Sequence, residues 1–332
     1  MPVMTYRQAL NTTLAEELAR DPNVVLIGEE IGTFQGAYRI TEGLLDTFGN
    51  RRVVGAPISE EGFVGMATGA AMLGLRPVVE IMTINFILVA VDQIVNHAAK
   101  LHYMFGGQVH VPLVIRTPSG GIGQLAATHS QSFENWFAYC PGLKVVAPAT
   151  PYDAKGMLRS AIRDDDPVIF IESLDLYQTT GEVPQDDDYT VPIGLAEVKR
   201  AGTDITIVGY SRMTALAMQV AQTLEQDRIS VEVVDLRSLR PLDRPTIVNS
   251  IKKTNRAVVI EEDWRSYGVG AEIAATIQEE AFDYLDAPVQ RVAGVEVPLP
   301  YAAKLAQAAK PNAQHLITAI QRALEGGKRW QK

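Results

Sequence analysis

The chain has 332 residues, 47% hydrophobic and 21% charged, the balance of a folded globular protein large enough for about two domains. That balance excludes disordered, collagen-like and coiled-coil designs. A formal net charge of −9, from 30 basic and 39 acidic residues, argues against a nucleic-acid partner. The single cysteine, Cys140, rules out an internal disulfide and a thiolate metal site and points to a reducing cytoplasmic compartment. The N-terminal stretch shows no basic region leading into an apolar run, so no secretory signal is expected. The most apolar segment, 78–91, is interrupted by Glu80, Thr83 and Asn85 and falls short of the ~20 apolar residues that span a bilayer.

Taken in chain order, short β-branched runs alternate with helical patterns. The runs VVLIG (24–28), RPVVEIM (76–82), VPLVIR (111–116), LKVVAP (143–148) and PVIFIE (167–172) are apolar throughout, as parallel strands covered on both faces must be. Helices are predicted over 6–18, 62–73, 89–103 and 151–163. The segment 179–200 is rich in Pro, Gly, Thr and Asp and reads as an interdomain linker. Alternation then resumes with strands at 204–210, 230–236, 257–262 and 289–295 and helices at 213–224, 245–254, 268–282 and 312–324. Right-handed crossovers would make this second sheet parallel. The fold class is therefore α/β, with two doubly wound domains at 1–178 and 201–332.

The usual nucleotide and hydrolase signatures are missing. There is no phosphate-binding G-x-x-x-x-G-K-[ST], no dinucleotide G-x-G-x-x-G, no G-x-S-x-G elbow and no H-E-x-x-H. Gly268 and Gly270 read as a helix start packed closely on a sheet.

Three segments carry chemistry. In GAPISEEGFVGMATGAAMLGLRP (55–77), Ser59 is a candidate N-cap, and Glu60 and Glu61 occupy the first helical turn, where the macrodipole favours carboxylates. Capping alone would account for them. The helix behind is small and apolar, so it should be buried and carry one carboxylate inward; burial would raise that group's pKa and suit it to proton chemistry. In RTPSGGIGQLAATHSQSFENWF (116–137), His129 lies in a glycine-rich loop after a strand, where α/β proteins place their sites. Acid–base work fits it, whereas His97, His102, His110 and His315 read as structural or solvent-facing. In AIRDDDPVIFIE (161–172), the three aspartates form either a solvated capping turn or, with nearby carbonyls, a seat for a hard cation. The run 186–188 reads only as solvated.

Together these segments, with GEEIGTFQGAYRITEGL (28–44), DLRSLRPLD (235–243) and EEDWRSYGVGAEIAATI (261–277), resemble the β subunit of the thiamine-diphosphate-dependent first component of 2-oxoacid dehydrogenase complexes. GAYRIT, H-S-Q-S-F-x-x-W-F and CPGLKVV are most similar to the pyruvate branch; branched-chain and acetoin relatives share much of the frame. The resemblance implies a transketolase-like fold with a pyrimidine-binding domain and a C-terminal domain. It further implies an α2β2 heterotetramer with an α subunit that supplies the Mg²⁺ and diphosphate site, feeding the lipoyl groups of a dihydrolipoyl acetyltransferase core. The superfamily's diphosphate motif, G-D-G followed by Asn, is absent from this sequence, in keeping with half an active site.

By position, the resemblance makes Glu60 the residue that hydrogen-bonds the aminopyrimidine ring and favours the imino tautomer needed to generate the ylide. Ile58, Met82 and Phe86 match the pyrimidine pocket, with core packing as their ordinary alternative. His129 matches the histidine that handles the substrate carboxylate or protons during acyl transfer. A structural potassium site maps onto Leu113, Ala161, Ile162, Asp164 and Asp166. A scaffold subunit without catalysis is the rival of another class; the presence of Glu60 and His129 counts against it.

Overall fold

A computed structural model describes residues 1–326 except 122 and 187. Asp187 of the acidic run and residues 327–332 of the expected second domain therefore lie outside the described residues. The chain forms two compact units. The first comprises Met1–Ser119 and Trp136–Ile193; the second comprises Gly120–Asn135 together with the chain from Gly194 onward. Among the described residues no helix is long and apolar enough to cross a membrane.

In the first unit, strands β2 (Val24–Glu29), β3 (Val53–Ala56), β4 (Arg76–Glu80), β5 (Val114–Ser119), β6 (Lys144–Val146) and β7 (Val168–Ser173) follow two short elements, β1 (Val3–Thr5) and the helix Tyr6–Arg20. They lie side by side in the order β6-β7-β5-β4-β2-β3, and every pairing is parallel. Ile27, Val79, Ile115 and Ile169 stand in register across four strands, which explains why each run is apolar throughout. Thr5 and Gln8 close a capping box on the helix Tyr6–Arg20, whose Tyr6, Leu10, Leu14 and Leu18 sink into the core with Met157, Leu158 and Ile162 of the helix Pro151–Arg163.

The helix expected over 89–103 is instead broken into a 3₁₀ turn (Phe86–Ala90), a π turn (Gln93–Ala98) and a single α turn (Leu101–Met104). Polar side chains at i and i+4 bond one another there, Asn96 Nδ2 donating to Asp92 at 2.7 Å. The widened turn brings the Ala99 carbonyl over Gly142, where a Cβ would lie 1.9 Å from it. That close approach to a glycine, which no periodicity encodes, accompanies the departure from regular helix.

The stretch read as a linker carries structure at both ends. Strand β8 (Thr180–Glu182) pairs antiparallel with β1, Val183 and Val191 are buried, and β9 (Glu197–Arg200) begins the second unit's sheet. Three- and four-residue edge strands are too short to show a period, which is why composition alone suggested a linker.

The second unit's sheet runs β14-β13-β10-β11-β9, built with β9 from β10 (Ile205–Gly209), β11 (Val231–Asp235), β13 (Ala257–Trp264) and β14 (Gln290–Gly294); the short β12 (Ser238–Arg240), between β11 and β13 in the chain, is not part of it. The expectation of a wholly parallel sheet is corrected at its edge: β9 runs antiparallel to β11. An antiparallel strand added to the edge needs no crossover helix. Helices Arg212–Leu224, Arg244–Thr254, Val269–Ala281 and Ala313–Leu324 stand where periodicity places them, and Ala303–Ala309 is an extra short helix. Gly270 opens the helix Val269–Ala281 as expected, because any Cβ there would meet Glu261 Oε1 at 2.4 Å.

Candidate active site in the first unit

The strand order of the first unit reverses direction at β2, with β3 on one side and β4 on the other. The loops leaving β2 and β4 therefore diverge and open a crevice at their carboxyl ends, the place where doubly wound sheets bind ligands. Glu29 is the last residue of β2, and Met82 and Phe86 follow the end of β4.

Glu60 starts the helix Glu60–Met72, which follows β3. Of the two adjacent carboxylates, Glu60 is buried at 6% exposure and Glu61 is exposed, as the inward-facing reading requires. Ser59 stands at the N-cap position, but its side chain makes no capping bond. The Ser59 backbone N–H instead donates to the Glu29 carboxylate. Burial, then the nearby Glu60 carboxylate, pushes the Glu29 carboxyl above the ordinary glutamate range. Its Oε1 is buried with no hydrogen-bond partner among the described residues.

The helix itself is only half covered. Phe63, Val64, Ala67 and Ala71 are buried while Met66 is 53% exposed, which corrects the expectation of a fully buried helix. Ile58, just before it, is 85% exposed. Met82 and Phe86 are half-buried, neither locked in the core nor free in solvent, which suits the lining of a crevice. Glu29 escaped the sequence analysis because the apolar run VVLIG appeared to end one residue earlier; the doubled carboxylate of GEE (28–30) after a strand was the available signal.

A second buried charge group stands on β4, β5 and β7. Arg116 of β5, 2% exposed, pairs with Glu80 of β4 and lies 2.7 Å from Glu172 of β7, and the Tyr177 hydroxyl donates to Glu172. Desolvation opposes the Arg116 charge, but Glu172 and Glu80 overcome it and hold the guanidinium protonated.

His129 belongs to the second unit, at the end of a 3₁₀ turn (Ala127–His129). It is exposed, and its Nδ1 is 2.9 Å from Thr128 Oγ1. The other histidines are structural or surface groups: the His102 and His110 rings lie 4.9 Å apart, and His97 Nδ1 is 3.2 Å from Gln93 Oε1.

The residues expected to hold potassium lie at the end of the helix Pro151–Arg163, in the turn after it and, for Leu113, just before β5, and their acceptors are engaged by the protein. The Leu113 carbonyl accepts from Val168 N–H at 2.9 Å and that of Ala161 from Asp164 N–H at 3.3 Å. Arg76 donates to the carbonyls of Ile162 and Asp164. The Lys144 ammonium bridges the carboxylates of Asp164 and Asp166 at 2.7 and 3.0 Å. Among the described residues no cluster of three or more His, Cys, Asp or Glu side chains could hold a metal ion.

Comparison with known proteins places this geometry. Residues 3–180 match the family model of the transketolase pyrimidine binding domain, and residues 194–316 match that of the transketolase C-terminal domain. The chain is 50% identical to the pyruvate dehydrogenase E1 component subunit beta-2, mitochondrial, of Oryza sativa subsp. japonica over 96% of this chain and 86% of the relative. It is 50% identical to the pyruvate dehydrogenase E1 component subunit beta of Rickettsia bellii (strain RML369-C), over 96% of this chain and 98% of the relative. For the corresponding mitochondrial subunit of Dictyostelium discoideum the identity is 49%, over 98% and 92%. A solved structure described as a split gene transketolase, inactive beta4 tetramer, superposes with a TM-score of 0.80 at 23% identity over 97% of this chain and 99% of its own, which establishes the shared fold. A switch-point crevice holding a buried glutamate pair, on a chain half identical along nearly its whole length to these subunits, means that the chain belongs to the family of pyruvate dehydrogenase E1 component β subunits, a 2-oxoacid dehydrogenase component.

Proposed function

We propose that this chain works with an α subunit, as an α2β2 heterotetramer in the cytoplasm, in the thiamine-diphosphate-dependent oxidative decarboxylation of pyruvate and the transfer of the acetyl group to the lipoyl groups of a dihydrolipoyl acetyltransferase core. The observation that carries the reading is the pair of buried carboxylates, Glu60 and Glu29, at the switch-point crevice. A buried carboxylate facing a ring nitrogen can share a proton with it, and the raised Glu29 carboxyl alongside provides a proton reserve. The residues present fit the pyrimidine half of the cofactor. Glu60 offers the proton-sharing group, and the half-buried Phe86 and Met82 offer an apolar face and a soft edge. When bound, thiamine diphosphate supplies the carbon nucleophile that attacks the 2-oxoacid carbonyl.

The diphosphate and Mg²⁺ belong to the α subunit in this reading, because the G-D-G motif is absent here. The exposed Ile58, Met66, Phe34 and Val89 of the first unit support a partner subunit, since apolar side chains exposed near a site mark an interface. Cytoplasmic placement rests on the lone, buried Cys140. His129 assists acyl transfer from its exposed position on the loop. The aspartate turn serves as a structural cation site in which carbonyl lone pairs left over from Arg76 and the backbone would face potassium, with Lys144 already supplying one positive charge.

The test is reconstitution with the α subunit and measurement of turnover on pyruvate, branched 2-oxoacids and acetoin. A kcat/KM that favours pyruvate supports the assignment; preference for a branched substrate moves the chain to a sister branch. Melting in potassium against sodium checks the cation: a rise in Tm specific to potassium is the expected result, and identical melting removes that site from the reading.

A further inference from the structure

The loop Gly120–Asn135 leaves β5, a strand of the first unit, yet is compact with the second unit. Its entry is gripped from both sides. Glu262, at the carboxyl end of β13, accepts from the Gly121 N–H at 3.1 Å through Oε1, while its Oε2 pairs with Arg212. Lys310, just after the helix Ala303–Ala309, donates through Nζ to the Gly121 carbonyl. Both polar groups of one peptide residue are thus held by opposite charges.

The glycines at this point leave room for the grip. A Cβ on Gly120, whose φ is +89°, would lie 2.7 Å from Glu262 Oε2, and one on Gly121 would lie 2.4 Å from Leu299 Cδ2. Farther along, Gln124 Nε2 donates to the Tyr301 carbonyl at 3.2 Å, and Asn135 Nδ2 donates to the Tyr267 carbonyl at 2.9 Å. The Gly120 N–H donates to the Gln131 carbonyl at 3.1 Å and closes the loop on itself, with His129 on the closed arc. Ser130 and Gln131, next to His129, line a cavity of about 40 Å³ together with Glu262 and Asp263, so the segment carrying His129 faces the same carboxyl end of β13 that supplies the grip.

We propose that Glu262, with Lys310 opposite, is a positioning residue for His129: by clamping Gly121 it fixes the loop arc from which the imidazole acts. The inference rests on the assignment of His129 to acyl transfer. Its physical basis is that a catalytic group displaced by about 1 Å loses up to about a hundredfold in rate, and the clamp at Gly121 sets where the arc that carries His129 begins. The Glu262 side chain is 14% exposed, so its bonds are little weakened by competing water.

The experiment uses the α2β2 complex with its acyltransferase core and two assays: lipoyl-linked transfer, and decarboxylation read with an artificial electron acceptor. Glu262→Ala is expected to lower transfer about tenfold and leave the acceptor assay within about twofold; loss in both assays together would overturn the positioning role. Glu262→Gln keeps an acceptor for Gly121 and should recover part of the transfer rate; no recovery would overturn the part assigned to the Gly121 bond. In the double variant with His129→Ala, transfer should fall no further than in His129→Ala alone, because both changes remove one function; additive losses would overturn it. Hydrogen exchange of the peptide covering 120–135 gives a readout independent of activity, expected to quicken in Glu262→Ala and in Lys310→Met, and unchanged protection overturns the clamp. If His129→Ala leaves transfer intact, the role assigned to His129 fails; if it abolishes transfer and Glu262→Ala leaves transfer unchanged, the clamp alone fails.

Discussion

Two groups of buried carboxylates stand at the carboxyl ends of the first unit's strands, and the protein treats them in opposite ways. Glu80 and Glu172 are given a guanidinium, Arg116, and a phenol, Tyr177. Glu29 and Glu60 are given each other, one backbone N–H, and a buried oxygen with no hydrogen-bond partner among the described residues. The first group is an ion network whose carboxylates are paired with a cation; it joins β4, β5 and β7. The second is left incomplete in a crevice, where the Glu29 carboxyl is raised. Burial alone does not mark a functional carboxylate, since it also raises Glu172 and Asp263; a raised carboxylate without a counter-cation in a ligand crevice does.

Each side of that comparison can be broken. The largest effect belongs to Glu60→Gln, which keeps the shape and removes the proton-sharing group; decarboxylation by the reconstituted complex should fall by about a hundredfold or more with assembly intact, measured by turnover and by gel filtration of the tetramer. Arg116→Met should act on stability instead, leaving Glu80 and Glu172 buried without their cation at a cost of about 3–5 kcal/mol, read from denaturant midpoints. If activity falls and the midpoint holds, the two groups have been assigned the wrong way round.

Glu29→Gln sharpens the contrast with a smaller, pH-dependent effect. A carboxyl whose folded pKa is raised contributes stability that is fully present below the unfolded value of about 4.3 and is lost as pH rises through the folded one. The variant cannot ionise and should therefore match the parent in acid and melt higher at pH 8; a gain confined to acid would reverse the sign. Asp263 in the second unit is the control outside the crevice. Burial, then Glu261 and Glu262, pushes its carboxyl up to about 7, so Asp263→Asn should raise Tm modestly above pH 7, have little effect near pH 4, and leave decarboxylation unchanged. Thermal melts across that range check both variants.

Much of the fold was legible because its signals are local. The helix Pro151–Arg163 has proline in its first turn and Thr150 as its cap, and the apolar runs of β2, β4, β5 and β7 are long enough to show that both faces are covered. What escaped depended on partners distant in sequence. The break at 86–104 accompanies close contact with Gly142, and β1, β8 and β9 are stabilised by pairing rather than by any period of their own. In the site, Glu60 could be read from a capping position ahead of a small, apolar helix. Glu29 could not be distinguished from a strand-end residue until the fold brought it to Ser59, and the engagement of the aspartate turn by Lys144 and Arg76 joins segments with nothing in common but their place in the sheet.

The chain passes between its two units after Ser119, after Asn135 and after Ile193. Neither unit is therefore one continuous stretch of sequence. A cut at 193/194 would give an amino-terminal piece still carrying the loop that packs with the other unit, and a carboxyl-terminal piece lacking a segment of its own. The connection between the family's two domains, though it sits at a clear boundary in the sequence, is a poor place to divide this protein into separately expressed halves; a fragment meant to stand alone would need residues 120–135 supplied in trans or grafted back.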